Sequence, residues 1–274
     1  MRIALQVALV MVTILVVLLV IGAPIGVAIG MSSAVSMICM IPADVSFATS
    51  AQRIFAGSNS FSLIAIPFFI LAGNIMNNGG IATRLVNCAK VISGRMPGAL
   101  AQSNVVANML FGAISGSGAA AAAAMGGTIG PLEEKEGYDK NYSTAVNVAS
   151  APVGMLIPPS NTMIVYSSVA GSVSIAALFM AGYIPGLLWG GAVMILAGIM
   201  AKKRGYQAEQ RVPVKVALKT FWQAIPSLLL IVIVIGGILG GIFTATEGSA
   251  IAVVYATVLS LIYKAFKIKD IPRI

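Results

Sequence analysis

The sequence predicts an all-α integral membrane protein, a multi-span helical bundle with a re-entrant hairpin and broken helices. Three observations predict it. Hydrophobic residues make up 58% of the 274-residue chain and charged residues 9%, where a soluble domain carries roughly 25% charged. Apolar runs recur at 4–20, 228–242 and 251–263, and each approaches the ~20 residues of a crossing helix once its neutral flanks are counted. Two further apolar stretches are cut by residues that do not continue a helix. One is "SGSG" within FGAISGSGAAAAAAMGGTIG, 111–130, and the other is "PPSNT" within ASAPVGMLIPPSNT, 149–162.

Residues 1–60 read as scaffold helices and an interfacial segment. Stretch 4–40 is long for one span, and Gly22 and Pro24 split it into two short spans, because proline removes a backbone donor. Residues 61–96 hold a span at 61–76 with Pro67 inside it, a turn at 77–80, and a helix at 81–91. Arg84 and Lys90 among apolar neighbours suit that helix to a surface position. Residues 97–141 form the re-entrant hairpin. Residues 142–201 hold a span broken at "GMLIPPSNT" and a clean span at 175–200. Residues 202–221 are a basic cytoplasmic loop, and 222–274 start a second repeat.

The hairpin follows from charge. The net charge is +9. Lys202, Lys203, Arg204, Arg211, Lys215 and Lys219 sit in one connection, and Lys264, Lys267, Lys269 and Arg273 at the C-terminal end. Positive loops stay in the cytoplasm, so span 175–200 starts outside and the broken span starts inside. That places the polar loop "EEKEGYDK", 133–140, inside, together with Arg84, Lys90 and Arg95. Both ends of 98–132 then lie on one side, and Ser115–Gly118 becomes a hairpin tip; the alternative, a full crossing, would put 133–140 outside and force one more break in the pattern.

The same composition excludes other classes. No aromatic-basic patch suits nucleic acid. There is no histidine, the commonest general base and metal ligand, and no nucleophile–base pair, so an enzyme is not expected. Cys39 and Cys88 have no metal spacing and read as buried free thiols. The N-terminal run lacks a small-residue cleavage site and is too long for a signal peptide; it reads as a membrane segment. A faint internal similarity links "VIGAPIGVAIGMSSAV" with "GIFTATEGSAIAVVYA", the kind of weak symmetry that inverted-repeat transporters carry.

Non-helical backbone at membrane depth survives only when buried in protein or lining a site. Half-helix N-termini present N–H donors to anions, while unwound carbonyls and hydroxyls suit sodium, a hard cation. A hairpin tip and a broken span brought together supply both. The run Ala119–Ala124 reads as a close-packing face, and Glu247 as a helix N-terminal cap rather than a proton carrier.

The motifs "FSLIAIPFFILAGNIM", "GAISGSGAA", "EGYDKNYSTAVNVASAPVGMLIPPSNTMIVY", "VAGSVSIAALFMAGYIPGLL" and "GIFTATEGSAIAVVYA" cover nearly the whole chain in order. They resemble the large, DctM-like permease subunit of tripartite ATP-independent periplasmic (TRAP) transporters. The resemblance implies an inverted-repeat, elevator-type secondary transporter in the bacterial inner membrane, with a hairpin and a broken helix in each repeat. It implies no cofactor and Na⁺ as coupling ion, driving uptake of an organic acid such as a C4-dicarboxylate, sialic acid or sugar acid. A periplasmic solute-binding protein would deliver that acid, and a small four-helix membrane subunit would brace the scaffold. By motif, the first sodium site falls on Gly112, Ser115, Gly154, Ile157 and Pro159, largely through backbone carbonyls. Ser117, Ser160, Asn161 and Thr162 are the candidates for touching substrate.

The chain departs from the family pattern in three places. Relatives that carry sialic acid often have Ser at the position of Gly112. Relatives tend to read "SSGTIGPIIPPS" where this chain reads "ASAPVGMLIPPS". They also continue through a second hairpin and sodium site, which this chain as written is expected to lack. Two alternatives stay open: a divalent-anion/sodium symporter that needs no binding protein, faintly suggested by "SNT" at 160–162, and a half-permease scaffold that does not transport.

Overall fold

The computed structural model describes residues 2–171, 173–206 and 213–266. The basic residues Arg211, Lys267, Lys269 and Arg273 lie outside the described residues. Every regular element among the described residues is a helix, and the helices group into two compact units, residues 1–60 and 61–274.

The first unit holds α1 (Arg2–Val20), α2 (Ile25–Ile38) and α3 (Ala43–Ser58). The expected break in stretch 4–40 is present, at residues 21–24. Pro24 and Pro42 each stand immediately before a helix, where a missing N–H costs no intrahelical bond. Successive helices pack against each other, and the buried Ser46 hydroxyl donates to the Ala34 carbonyl at 2.7 Å, tying α3 to α2. Cys39 corrects one expectation: it is exposed, because it caps α2 outside the packed face, whereas Cys88 is buried.

The second unit begins with a 3₁₀ turn, Phe61–Ile64, leading into α4 (Ala65–Asn78) and α5 (Ile81–Ser93). The helix expected at 81–91 is α5; its apolar face, with Ile81, Leu85, Val86 and Ala89, is buried against neighbouring helices. Then come α6 (Ala99–Ser115), α7 (Gly118–Thr128) and the short α8 (Gly130–Lys135). The α6–α7 pair is an antiparallel hairpin with its tip at 115–117. Phe111 and Ala107 of α6 pack against Ala121, Ala124 and Met125 of α7 and against α5. So the alanine run gives a packing face through Ala121 and Ala124, while Ala119 and Ala123 point outward.

The broken span is α9 (Lys140–Ser150), α10 (Val153–Leu156) and α11 (Asn161–Ala170), bent by 47°. It has two interruptions: the expected one at 157–160 and a turn at Ala151–Pro152. Last come α12 (Ile175–Lys203), α13 (Val214–Leu239) and α14 (Ala245–Ile262). The basic connection is shorter than the sequence suggested, since Lys215 and Lys219 lie in the first turns of α13.

Among the described residues, four helical stretches are long and apolar enough to cross a membrane: Phe61–Asn78, Ile175–Lys203, Val214–Leu239 and Ala245–Ile262. The bent pair Lys140–Leu156 and Asn161–Ala170 makes a fifth if taken as one span. Large apolar side chains such as Ile184, Leu188, Ile195 and Val232 are exposed on these helices, as a lipid-facing surface requires. The largest core joins α4, α13 and α14 through Phe69, Leu230, Val234 and Ala252, and reaches Ile114 at the end of α6 and Ile164 on α11. That core fixes the hairpin tip beside the broken span.

Candidate functional site

Two chain breaks meet at this point. At the first, α6 ends with Gly116 in the left-handed region, φ 61°, a conformation that costs glycine little. Ser117 then adopts extended backbone and caps α7 by accepting from Ala120 N at 3.3 Å. At the second, α10 ends at Ile157, also extended, and the cis Pro158–Pro159 pair follows. Ser160 takes nearly the same backbone angles as Ser117 and caps α11, accepting from Met163 N at 3.4 Å. Each break thus places a helix C-terminus and a capped helix N-terminus within a few residues of each other.

Contacts lock the two breaks together. Gly112 and Gly154 touch backbone to backbone, so a Cβ on Gly112 would fall on the Gly154 Cα. The Asn161 N–H donates to the Gly116 carbonyl at 3.3 Å, and Asn161 Nδ2 to the Ser115 carbonyl at 3.4 Å. On the other side of the tip, α4 approaches at Gly73, where an added Cβ would stand 2.9 Å from Ser115 Cβ. The Asn161 Oδ1 atom is buried and has no hydrogen-bond partner.

Proline chemistry leaves carbonyls without their usual donors here. Pro158 and Pro159 have no N–H, so neither the Gly154 nor the Met155 carbonyl receives the bond from four residues on. The Ser160 hydroxyl donates to Met155 O instead. The Gly154 carbonyl is left with no such substitute within its own turn.

Of the five residues expected to hold sodium, Gly112, Ser115, Gly154 and Pro159 converge on this junction, all buried. Ile157 is buried too, but its side chain packs with Ala113 and Val153, leaving only its backbone facing the break. The four residues expected to touch substrate do not share one surface. Ser117 lines a cleft of about 300 Å³, otherwise mostly apolar, with Ser115, Asn74 and Asn77. Ser160 is fully buried, and its hydroxyl is committed to Met155 and Met163. Asn161 spans the junction, and the exposed Thr162 lines an apolar groove with Met155, Tyr166 and Trp189. Asn74 and Asn77 were not singled out from sequence. Their signal is two amides three residues apart at the end of an otherwise apolar span, one helical face.

Outside the junction, Glu247 is a cap as expected. Its Oε2 accepts from Thr244 N at 2.7 Å and Thr244 Oγ1 at 2.9 Å, while the Thr244 hydroxyl oxygen accepts from Glu247 N, a reciprocal capping box. No group of three or more His, Cys, Asp or Glu side chains that could hold a metal ion occurs among the described residues.

Residues 12–274 match the family model described as "Tripartite ATP-independent periplasmic transporter, DctM component". Similar curated proteins include "Uncharacterized protein YgiK" of Salmonella typhimurium, 53% identical over 88% of this chain and 56% of its own length. The "C4-dicarboxylate TRAP transporter large permease protein DctM" of Rhodobacter capsulatus is 38% identical over 82% of this chain and 54% of its own length. The "Sialic acid TRAP transporter large permease protein SiaM" of Vibrio cholerae is 40% identical over 78% of this chain and 50% of its own length. The chain spans about half the length of these relatives. The family is one of transporters rather than enzymes, and the apolar helices make the chain a multi-pass membrane protein. By this match over nearly its whole length, the chain belongs to the DctM component family of tripartite ATP-independent periplasmic transporters.

Proposed function

We propose that this chain contributes the first ion-binding half of a sodium-coupled permease that takes up an organic acid across the bacterial inner membrane. The observation that carries the reading is the backbone contact of Gly112 with Gly154. It brings two helix C-termini and two capped helix N-termini to one junction. Sodium would be held by carbonyls of Gly112, Ser115, Gly154, Ile157 and Pro159. It is a hard cation, and a carbonyl whose N–H donor proline has removed is free to coordinate it. The capped starts of α7 and α11 favour a negative group nearby. Ser117 with Asn74 and Asn77 offers polar contacts to a carboxylate in the adjoining cleft.

The relatives named for C4-dicarboxylate and for sialic acid support an organic acid as the substrate class. The partners in this reading are a periplasmic solute-binding protein that delivers the acid and a small four-helix membrane subunit. The hairpin α6–α7 is re-entrant and moves with the broken span in an elevator-type cycle.

The test is uptake into proteoliposomes holding the chain, its small subunit and a matched binding protein, with and without an inward sodium gradient. The reading predicts uptake that needs both sodium and the binding protein, and that falls at least tenfold in Pro158→Ala. Uptake indifferent to the sodium gradient contradicts it.

A further inference from the structure

A second polar site lies away from the helix breaks, where the return arm of the hairpin meets the start of the broken span. Glu133 of α8 is 1% exposed, although its neighbours Glu134, Lys135 and Glu136 are exposed. It lines a cleft of about 350 Å³ together with Asn104, Ser143, Thr144, Asn147 and Lys140. Its Oε1 is buried and unpartnered, as are Asn104 Nδ2 and Ser143 Oγ.

The surrounding amides are held in fixed orientation. The two Asn108 Nδ2 hydrogens are shared among Asn104 Oδ1 at 2.9 Å, Asn147 Oδ1 at 3.0 Å and Ser150 Oγ at 2.8 Å. Asn147 Nδ2 donates to the Ala122 carbonyl at 2.9 Å. Asn104 is therefore turned with its Nδ2 away from Asn108, free to donate. Burial pushes the Glu133 carboxyl up to about 7, against Ser143 and Asn104, which stand near enough to favour its ionised form although neither closes to a full hydrogen bond. Neutral donors offset only part of the cost of a buried charge. The one salt bridge among the described residues joins Arg204 to Asp139, so the Lys140 ammonium at this cleft is not paired with Glu133. The other ionisable groups around the cleft are Glu134 and Tyr138, with Tyr142 behind them on α9.

We propose that this cleft is a binding site for a small monovalent metal cation, with the Glu133 carboxylate as its charged ligand and the Ser143 hydroxyl as a second oxygen. The charge count sets the class of ion. One buried carboxylate matches a single positive charge, whereas Ca²⁺ draws six to eight oxygens with several carboxylates among them. Asn104 Nδ2 is placed to donate to the second carboxylate oxygen. Glu134 at the cleft adds attraction, and Lys140 opposes it. The site is separate from the glycine junction, and it ties α8 to α9, the two elements that Glu133 and Ser143 belong to.

The experiment is the melting temperature of the purified chain in detergent at one fixed pH of about 8, with sodium titrated against choline. The proposal predicts a sodium-dependent rise whose midpoint concentration moves up at least tenfold in Glu133→Gln. That component persists in Pro158→Ala, which acts on the junction site, so failure of one site is distinguishable from failure of the other. Ser143→Ala is expected to weaken the response and Lys140→Met to strengthen it; these two keep the test valid if the Glu133 variant does not fold. A sodium response in Glu133→Gln equal to that of the wild type overturns the proposal. So does a response unchanged in both Ser143→Ala and Lys140→Met.

Discussion

Gly112 on α6 and Gly154 on α10 meet with no room for a Cβ on either: one built on Gly154 would stand 2.5 Å from Gly112 Cα. Backbone cannot retreat as a flexible side chain can. Gly112→Ala and Gly154→Ala are therefore each expected to cost about 1–3 kcal/mol, the range for overpacking a close contact. The check is thermal unfolding of the two single variants and the double. Because they share one contact, the double should cost less than the two singles added together.

The two capping serines do unequal work. Ser117 is half-buried and serves α7 alone. Ser160 is fully buried, caps α11 and also satisfies the Met155 carbonyl. Ser117→Ala should cost about 1 kcal/mol. Ser160→Ala should cost roughly 1–3 kcal/mol more, because it also leaves a buried carbonyl unpaired. Melting temperatures of the pair, measured side by side, rank them.

The Glu133 carboxyl sits at about 7 against an ordinary 4.5, raised by burial. The folded state keeps a proton that the unfolded chain releases between those values. This stabilisation is complete below about pH 4.5 and is lost as the pH rises through about 7. In sodium-free choline buffer the melting temperature should fall across that window, and Glu133→Gln should remove this fall. Above about pH 7 the variant should be the more stable by on the order of 2–3 kcal/mol. Asp139 runs the other way. The Tyr142 N–H and the Arg204 ion pair hold its carboxyl below the usual range, so its small contribution is present at neutral pH and is lost as the pH falls through its lowered pKa.

The capping box at the start of α14 is self-contained. Thr244→Ala removes the hydroxyl that accepts from Glu247 N and donates to its carboxylate. It should lower stability by about 1 kcal/mol. Amide hydrogen exchange should quicken in the first turn of α14 and stay unchanged in α12.

The helix breaks were legible because their cause is local. Gly116 supplies a backbone angle, and Pro158 and Pro159 remove donors, so the sequence alone marks where α6 and α10 stop. The reversal expected at Ser115–Gly118 rested on loop charge, chiefly the basic connection at 202–219. What escaped was non-local. "EEKEGYDK" reads as the most polar loop of the chain, yet Glu133 is buried, because Asn104 on α6 and Ser143 on α9 close around it. The segment's own pattern says nothing of those two residues. Cys39 failed in the opposite sense: an apolar surrounding sequence did not bury it, since it lies at the very end of α2. Lys215 and Lys219 read as loop by charge, but α13 extends through them and carries them outside its apolar span. Ser117 and Thr162 looked equivalent as polar residues beside a break, but the turn of each helix aims them into different clefts.

The central claim is that the backbone carbonyls at the joined breaks hold sodium, with the Gly154 carbonyl, left without a donor by Pro158, as the free one among them. Equilibrium binding of radioactive sodium to the purified chain tests it most directly, with Pro158→Ala as the decisive variant. Alanine at 158 lets α10 continue through Ile157, so that its N–H, four residues after Gly154, competes for that carbonyl. The account predicts a saturable component of binding in the wild type that weakens at least tenfold in Pro158→Ala and is retained in Glu133→Gln. Sodium binding of equal affinity and stoichiometry in the wild type and Pro158→Ala would contradict it.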